Sequence, residues 1–165
     1  MIKNGFLLML VVLLISLSCE RDDICAASTS TTPQLTIGFL DSDNINEAKP
    51  LNINIYKTDR SDSITYSNAS TLKIPLRTDT TATVLIFVKN PNNPVAAEDP
   101  DNTDIVTFTY EPEEIFISRA CGYKVVFNNL TIQNNPGTDG RWIDDILINN
   151  RTIANEDTTQ VFIRH

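Results

Sequence analysis

The side chains able to do chemistry are few and widely spaced. The chain has one histidine, His165, at its last position, where a polypeptide is expected to fray. Ser-His-Asp and Cys-His catalysis both need an imidazole held beside the nucleophile, so neither is expected. Glu113-Glu114 and Asp144-Asp145 are adjacent carboxylate pairs, but neighbours along a strand point to opposite faces and do not flank one substrate bond together. Carboxylates brought together from separate strands would still allow hydrolysis of a polysaccharide. Hard oxygen ligands for calcium gather in Asp41-Ser42-Asp43 and in Asp99-Pro100-Asp101-Asn102-Thr103-Asp104, giving Asp41, Asp43, Asp99, Asp101 and Asp104 as candidates. Neither segment has the central Gly and closing Glu of a helix-flanked calcium loop, and Asx-rich turns form without metal. The expected reading is turns, with no metal and no cofactor. Arg119 and Tyr123 bracket Cys121-Gly122 and could form a recognition patch, to which Trp142 would add a stacking surface for sugar. Against this, Tyr123 suits a core position with its hydroxyl at the edge, and Trp142 suits an ordinary core.

The elements that must carry these residues are strands. Apolar residues alternate at Leu35, Ile37, Phe39; at Leu51, Ile53, Ile55; at Leu72, Ile74, Leu76; and at Val106, Phe108, Tyr110, the pattern of half-buried strands. Further segments are Ile115 with Ile117, Tyr123 with Val125 and Phe127, Trp142 to Ile148, and Val161 to Ile163. The unbroken run Val84-Leu85-Ile86-Phe87-Val88 predicts a central strand buried on both faces. Between them lie Asp41-Ser42-Asp43-Asn44, Asn90-Pro91-Asn92-Asn93-Pro94, Asp99-Pro100-Asp101-Asn102 and Asn134-Asn135-Pro136-Gly137, all turn formers. The expected fold is all-β: a single antiparallel β-sandwich of about eight or nine short strands, with an immunoglobulin-like arrangement as one form it could take.

Upstream of the strands, Lys3 is followed by an unbroken apolar run from Phe6 to Ile15. About ten residues suit a secretory signal peptide and fall short of the roughly twenty that a spanning helix needs. Ser16-Leu17-Ser18-Cys19 resembles a lipobox, with Leu one place later than usual, so residues 1–18 are expected to be removed and Cys19 acylated. Ordinary cleavage after Ser18 or Ala27 would instead give a soluble exported protein. Acylation also accounts for the odd cysteine of three, leaving Cys25 and Cys121 to pair in an oxidising compartment. Residues 19–33 are polar and read as a tether, and residues 34–165 as the sandwich domain. A net charge of −8 without a Lys/Arg cluster excludes nucleic acid as an expected partner. It also leaves membrane contact to the acyl chains alone.

The blocks Cys19-Glu20-Arg21-Asp22-Asp23-Ile24-Cys25, Thr32-Pro33-Gln34-Leu35 and Ser118-Arg119-Ala120-Cys121-Gly122-Tyr123-Lys124, with Asn128-Asn129-Leu130 after it, resemble a family of small Bacteroidota lipoproteins whose domain has no assigned function. The resemblance implies a β-rich lipoprotein with two cysteines at these places, and no ligand or catalytic residue. The acidic residues behind Cys19 are similar to a signal that sends some such lipoproteins to the cell surface. The expectation is therefore an outer-membrane lipoprotein serving as a structural or binding accessory, facing either the periplasm or the outside, with an envelope protein or a glycan as partner. A surface adhesin and a polysaccharide hydrolase are the alternatives.

Overall fold

The computed structural model describes residues 24–92 and 98–165. Cys19, its acylation and the apolar run before it lie outside the described residues. These residues fall into two units, one of residues 24–29 with Phe116–Tyr123 and one of Ser30–Ile115 with Lys124–His165.

Nine strands and no helix are present among the described residues: β1 (Leu35–Leu40), β2 (Leu51–Lys57), β3 (Ser63–Ala69), β4 (Thr71–Ile74), β5 (Ala82–Lys89), β6 (Asn102–Ser118), β7 (Gly122–Pro136), β8 (Asp145–Ile148) and β9 (Val161–Arg164). They form two sheets, ordered β4-β1-β9-β8 and β3-β2-β5-β6-β7. Facing residues of the two sheets bury one core, including Leu35, Ile37, Phe39, Ile53, Phe87, Phe108, Phe127 and Ile163. The chain is thus an all-β sandwich. With β1 taken as strand B, the order β6-β5-β2-β3 over β4-β1 follows the G-F-C-C′ over E-B arrangement of immunoglobulin-type sandwiches. Strands β7, β8 and β9 are additions to that plan.

The alternating positions read from the sequence turn inward as the period of two requires. In β2, Leu51, Ile53 and Ile55 are buried while Asn52 is exposed. Strand β5 is central, between β2 and β6, and Leu85 to Val88 are buried, although Val84 at its start is 36% exposed. Three features differ from the expectation. The pair β1–β9 is parallel, so the sandwich is not wholly antiparallel. Strands β6 and β7 run for 17 and 15 residues, longer than the short strands expected, and β6 fuses two separate apolar segments across Pro112. Strand β3 escaped the pattern because its residues are mostly exposed and carry no apolar alternation.

Strand β1 is buried on both faces over its first five residues. Its inner face meets the core. Its outer face is closed by the segment before β9: the Thr36 amide donates to Gln160 Oε1 at 2.9 Å, and the Gln160 amide returns a bond to the Thr36 carbonyl at 3.1 Å. Phe162 covers Gly38, where any Cβ would stand 2.9 Å from the ring, so the position accepts only glycine without displacing that ring. Glu156 reaches over the same edge, accepting from the Gln34 amide at 2.8 Å and from Lys73 Nζ at 2.7 Å. The Lys73 ammonium, with the Gln34 amide, holds its carboxyl below the usual range.

His165 does not fray. Its amide donates to the Leu40 carbonyl at 3.2 Å, and its ring packs edge-on against Phe39 and Trp142. Lys49 holds it from two directions: the Lys49 carbonyl lies 3.0 Å from Nε2, and Lys49 Nζ donates to the His165 carbonyl at 2.8 Å. Burial pushes the imidazole pKa down from its ordinary 6.5, opposed by the Lys49 carbonyl and assisted by the charges of Lys89 and Lys49, with Asp99 acting upward. The unfolded chain therefore takes up a proton first as pH falls, and stability should be flat above about pH 7 and decline below about 6.5, toward the lower folded value. Urea midpoints between pH 8 and pH 5 check this, and His165→Gln should flatten the slope.

Candidate functional site

A cleft of about 440 Å³ opens beside the β2–β3 hairpin, within the size range of ligand sites. Its lining reaches down to buried core residues, Ile55 of β2, Ile74 of β4, Leu76, and Leu85 of β5, each at most 9% exposed. One wall is the β2–β3 hairpin and the other is the connection from β4 to β5.

The hairpin wall is shaped by its turn. Arg60 adopts a left-handed backbone (φ 54°), its amide donates to the Lys57 carbonyl at 2.9 Å, and its guanidinium lies 5.4 Å from the Tyr56 ring centroid. Asp59 accepts from the hydroxyl and amide of Ser61, which together lower its pKa. Asp62 pairs with Lys57 at 3.1 Å. Beside the cleft, β3 ends its sheet, so one backbone edge is unpaired there, and Ser63-Ile64-Thr65-Tyr66-Ser67-Asn68-Ala69 contains neither charge nor proline. Such an edge lacks the usual protection against pairing with another chain, apart from the irregular register between Leu51 and Ile53.

The second wall is held by a closed ring of hydrogen bonds. The Arg77 amide donates to Thr83 Oγ1 at 2.9 Å, and the Tyr110 hydroxyl donates to the Arg77 carbonyl at 2.8 Å. The remaining contact, between the hydroxyls of Thr83 and Tyr110, is then a bond from Thr83 to Tyr110. Burial pushes the Tyr110 phenol pKa up, keeping it a donor. Outside this ring Arg77 makes a two-pronged pair with Asp79, at 3.0 and 2.7 Å, and the guanidinium lowers the Asp79 pKa. At the rim Lys57 is thus paired with Asp62 and Arg77 with Asp79, Asp59 is bonded to Ser61, and the deeper lining is aliphatic: an arrangement suited to an apolar or amphipathic ligand.

The residues singled out in the sequence lie elsewhere. Trp142 is only 6% exposed, donates from Nε1 to the Phe87 carbonyl at 3.4 Å and belongs to the core, so it offers no stacking platform. Tyr123, in contrast, is 65% exposed, the reverse of a core position. It pairs edge-to-face with Phe116 (centroids 5.3 Å apart) near the turn that carries Arg119. Cys25 and Cys121 form the disulfide, with Cα atoms 4.9 Å apart, and Gly122 after it takes a left-handed backbone (φ 71°).

The calcium candidates serve local structure. Asp41 accepts from the amides of Asp43 and Asn44 and pairs with Lys49 at 3.1 Å. Asp99 pairs with Lys89 at 2.9 Å and accepts from Asn90. Asp104 is fully buried and accepts from the Ile143 amide and Asn134, which places Trp142 next to it in sequence in the core. Asp43 and Asp101 complete the set, and among the described residues no three His, Cys, Asp or Glu side chains gather as metal ligands. Asp144 accepts from Ser42 and Asp145 from Arg164, so the adjacent carboxylates have separate partners.

The cleft was not legible because its floor reads as ordinary alternating core. A usable signal was the absence of charge and proline in residues 63–69. Exposed Phe116 had a clearer one: Ile115-Phe116-Ile117 is three apolar residues in a row, and a strand cannot turn all three to one face.

Tyr110→Phe should open the hydrogen-bonded ring and cost about 1–3 kcal/mol. Thr83→Val should act on the same ring, so the double variant should cost less than the sum of the two, measured by urea unfolding.

No curated protein and no solved structure matches the chain. A sequence profile matches residues 39–165, and the chain belongs to that family, a family of unknown function (DUF6452).

Proposed function

We propose that this protein is an envelope lipoprotein, anchored through acylated Cys19, whose sandwich acts as a binding accessory. The cleft over Ile55, Ile74, Leu76 and Leu85 carries the reading. An aliphatic floor beside an unpaired, uncharged strand edge suits an extended segment of a partner protein, whose backbone would add to β3 while alternate side chains enter the cleft. Of the two adhesin readings, protein binding gains from this edge, and glycan binding loses the stacking surface that Trp142 was to supply. The lipid anchor draws its support from the sequence: the short apolar run, the small residues before Cys19, and a cysteine count in which Cys25 and Cys121 pair with each other.

Nile red, a neutral apolar dye, should bind the native protein, and Ser63→Trp, which places a large ring at the exposed mouth of the cleft, should weaken binding several-fold without loss of stability. Equal uptake by both proteins, or none by either, would remove the cleft from consideration. For the anchor, Cys19→Ser should move the protein from the membrane pellet to the soluble fraction, and retention in the pellet would count against acylation.

A further inference from the structure

The unit formed by residues 24–29 and Phe116–Tyr123 carries a surface that the cleft does not explain. Phe116 is 56% exposed, Tyr123 is 65% exposed and Ile24 is 83% exposed. The two rings pack edge-to-face instead of being covered. The only charged residue among residues 24–29 and 116–123 is Arg119, which is exposed in the turn and belongs to no salt bridge among the described residues. Apolar side chains, a phenol and a guanidinium suit the boundary between headgroups and acyl chains, where aromatic rings bury their bodies and keep their polar ends wet, and Arg can reach a phosphate.

Covalent geometry says what lies within reach. Cys25, bonded to Cys121 with a Cα separation of 4.9 Å, follows Cys19 by six residues, which extend to at most roughly 20 Å. If Cys19 carries acyl chains, the turn with Arg119 and the ring pair is leashed to the bilayer surface.

We propose that the Phe116–Tyr123 turn, with Ile24, rests in the headgroup region of the leaflet that holds Cys19, giving the protein a second, non-covalent membrane contact. The inference rests on the lipoprotein reading and goes beyond it. The acyl chains alone would anchor the protein. The aromatic turn would fix how it stands.

The test uses the mature protein purified from its native membranes, placed in phosphatidylethanolamine and phosphatidylglycerol vesicles containing a phospholipid with a diazirine near the top of one acyl chain. After irradiation, lipid adducts are mapped by mass spectrometry, and the mass of the Cys19 peptide is read in the same digest. Adducts should concentrate on peptides spanning residues 116–123, several-fold above those from the cleft-lining residues 74–85. The double variant Phe116→Ser with Tyr123→Ser, exposed positions whose change spares the core, should lose more than half of them with Cys19 still acylated. Acylated Cys19 without enrichment on 116–123 overturns the membrane contact and leaves the lipoprotein reading standing. Unmodified Cys19 overturns both.

Discussion

Burying β1 on both faces is the constraint from which most of this structure follows. A strand with no solvent-facing side needs a hydrogen-bonding neighbour on each edge and apolar cover above and below. Strand β4 supplies one edge and β9 the other. The five-stranded sheet covers the inner face, while Gln160 and Phe162 close the outer one. Because β9 runs parallel to β1, no tight hairpin can join them. The pairing brings together residues more than a hundred positions apart, and the domain closes only when its last strand is in place. His165, held between Phe39 and Trp142, is a further product of that closure.

Binary alternation made the sandwich legible, since β1, β2, β4, β5, β6, β7, β8 and β9 all coincide with apolar segments of the sequence. Where the reading failed, a long-range contact had overridden a local signal. Position 165 looked like a frayed end, and the Lys49 carbonyl and amine, brought near by the β1–β2 connection, together with the Leu40 carbonyl and the rings of Phe39 and Trp142, make it interior. Trp142, read as suiting an ordinary core, is buried there, and the carboxylate of Asp104 draws its segment inward by accepting from the Ile143 amide. Strand β3 has no alternation because only one of its edges and little of its surface is used. The Cys25–Cys121 pair was legible for a different reason: in an exported chain with one acylated cysteine, counting leaves a single pairing.

On the proposed readings, the cleft and the aromatic turn would serve two kinds of recognition. The cleft has an aliphatic lining with Lys57 paired to Asp62 and Arg77 to Asp79 beside it, so it would select by shape and by backbone pairing. The turn offers apolar and aromatic groups with one unmatched cation, a composition that tolerates a fluid, poorly ordered counterpart. The rest of the surface carries the negative charge, which favours solubility and discourages loose association with other anionic surfaces.

The 96-residue separation between Cys25 and Cys121 has a consequence for the order of events during biogenesis. In a chain that crosses a membrane from its amino end, Cys25 emerges early and waits as a free thiol while most of the domain is still being delivered. Its partner emerges only after β1 to β6 have crossed. If the chain is exported and Cys19 carries lipid, as proposed, no second thiol is at hand for premature oxidation within the same chain. The bond would then form only after β1 to β6 have crossed, and a molecule stalled before that point would keep Cys25 as a free thiol.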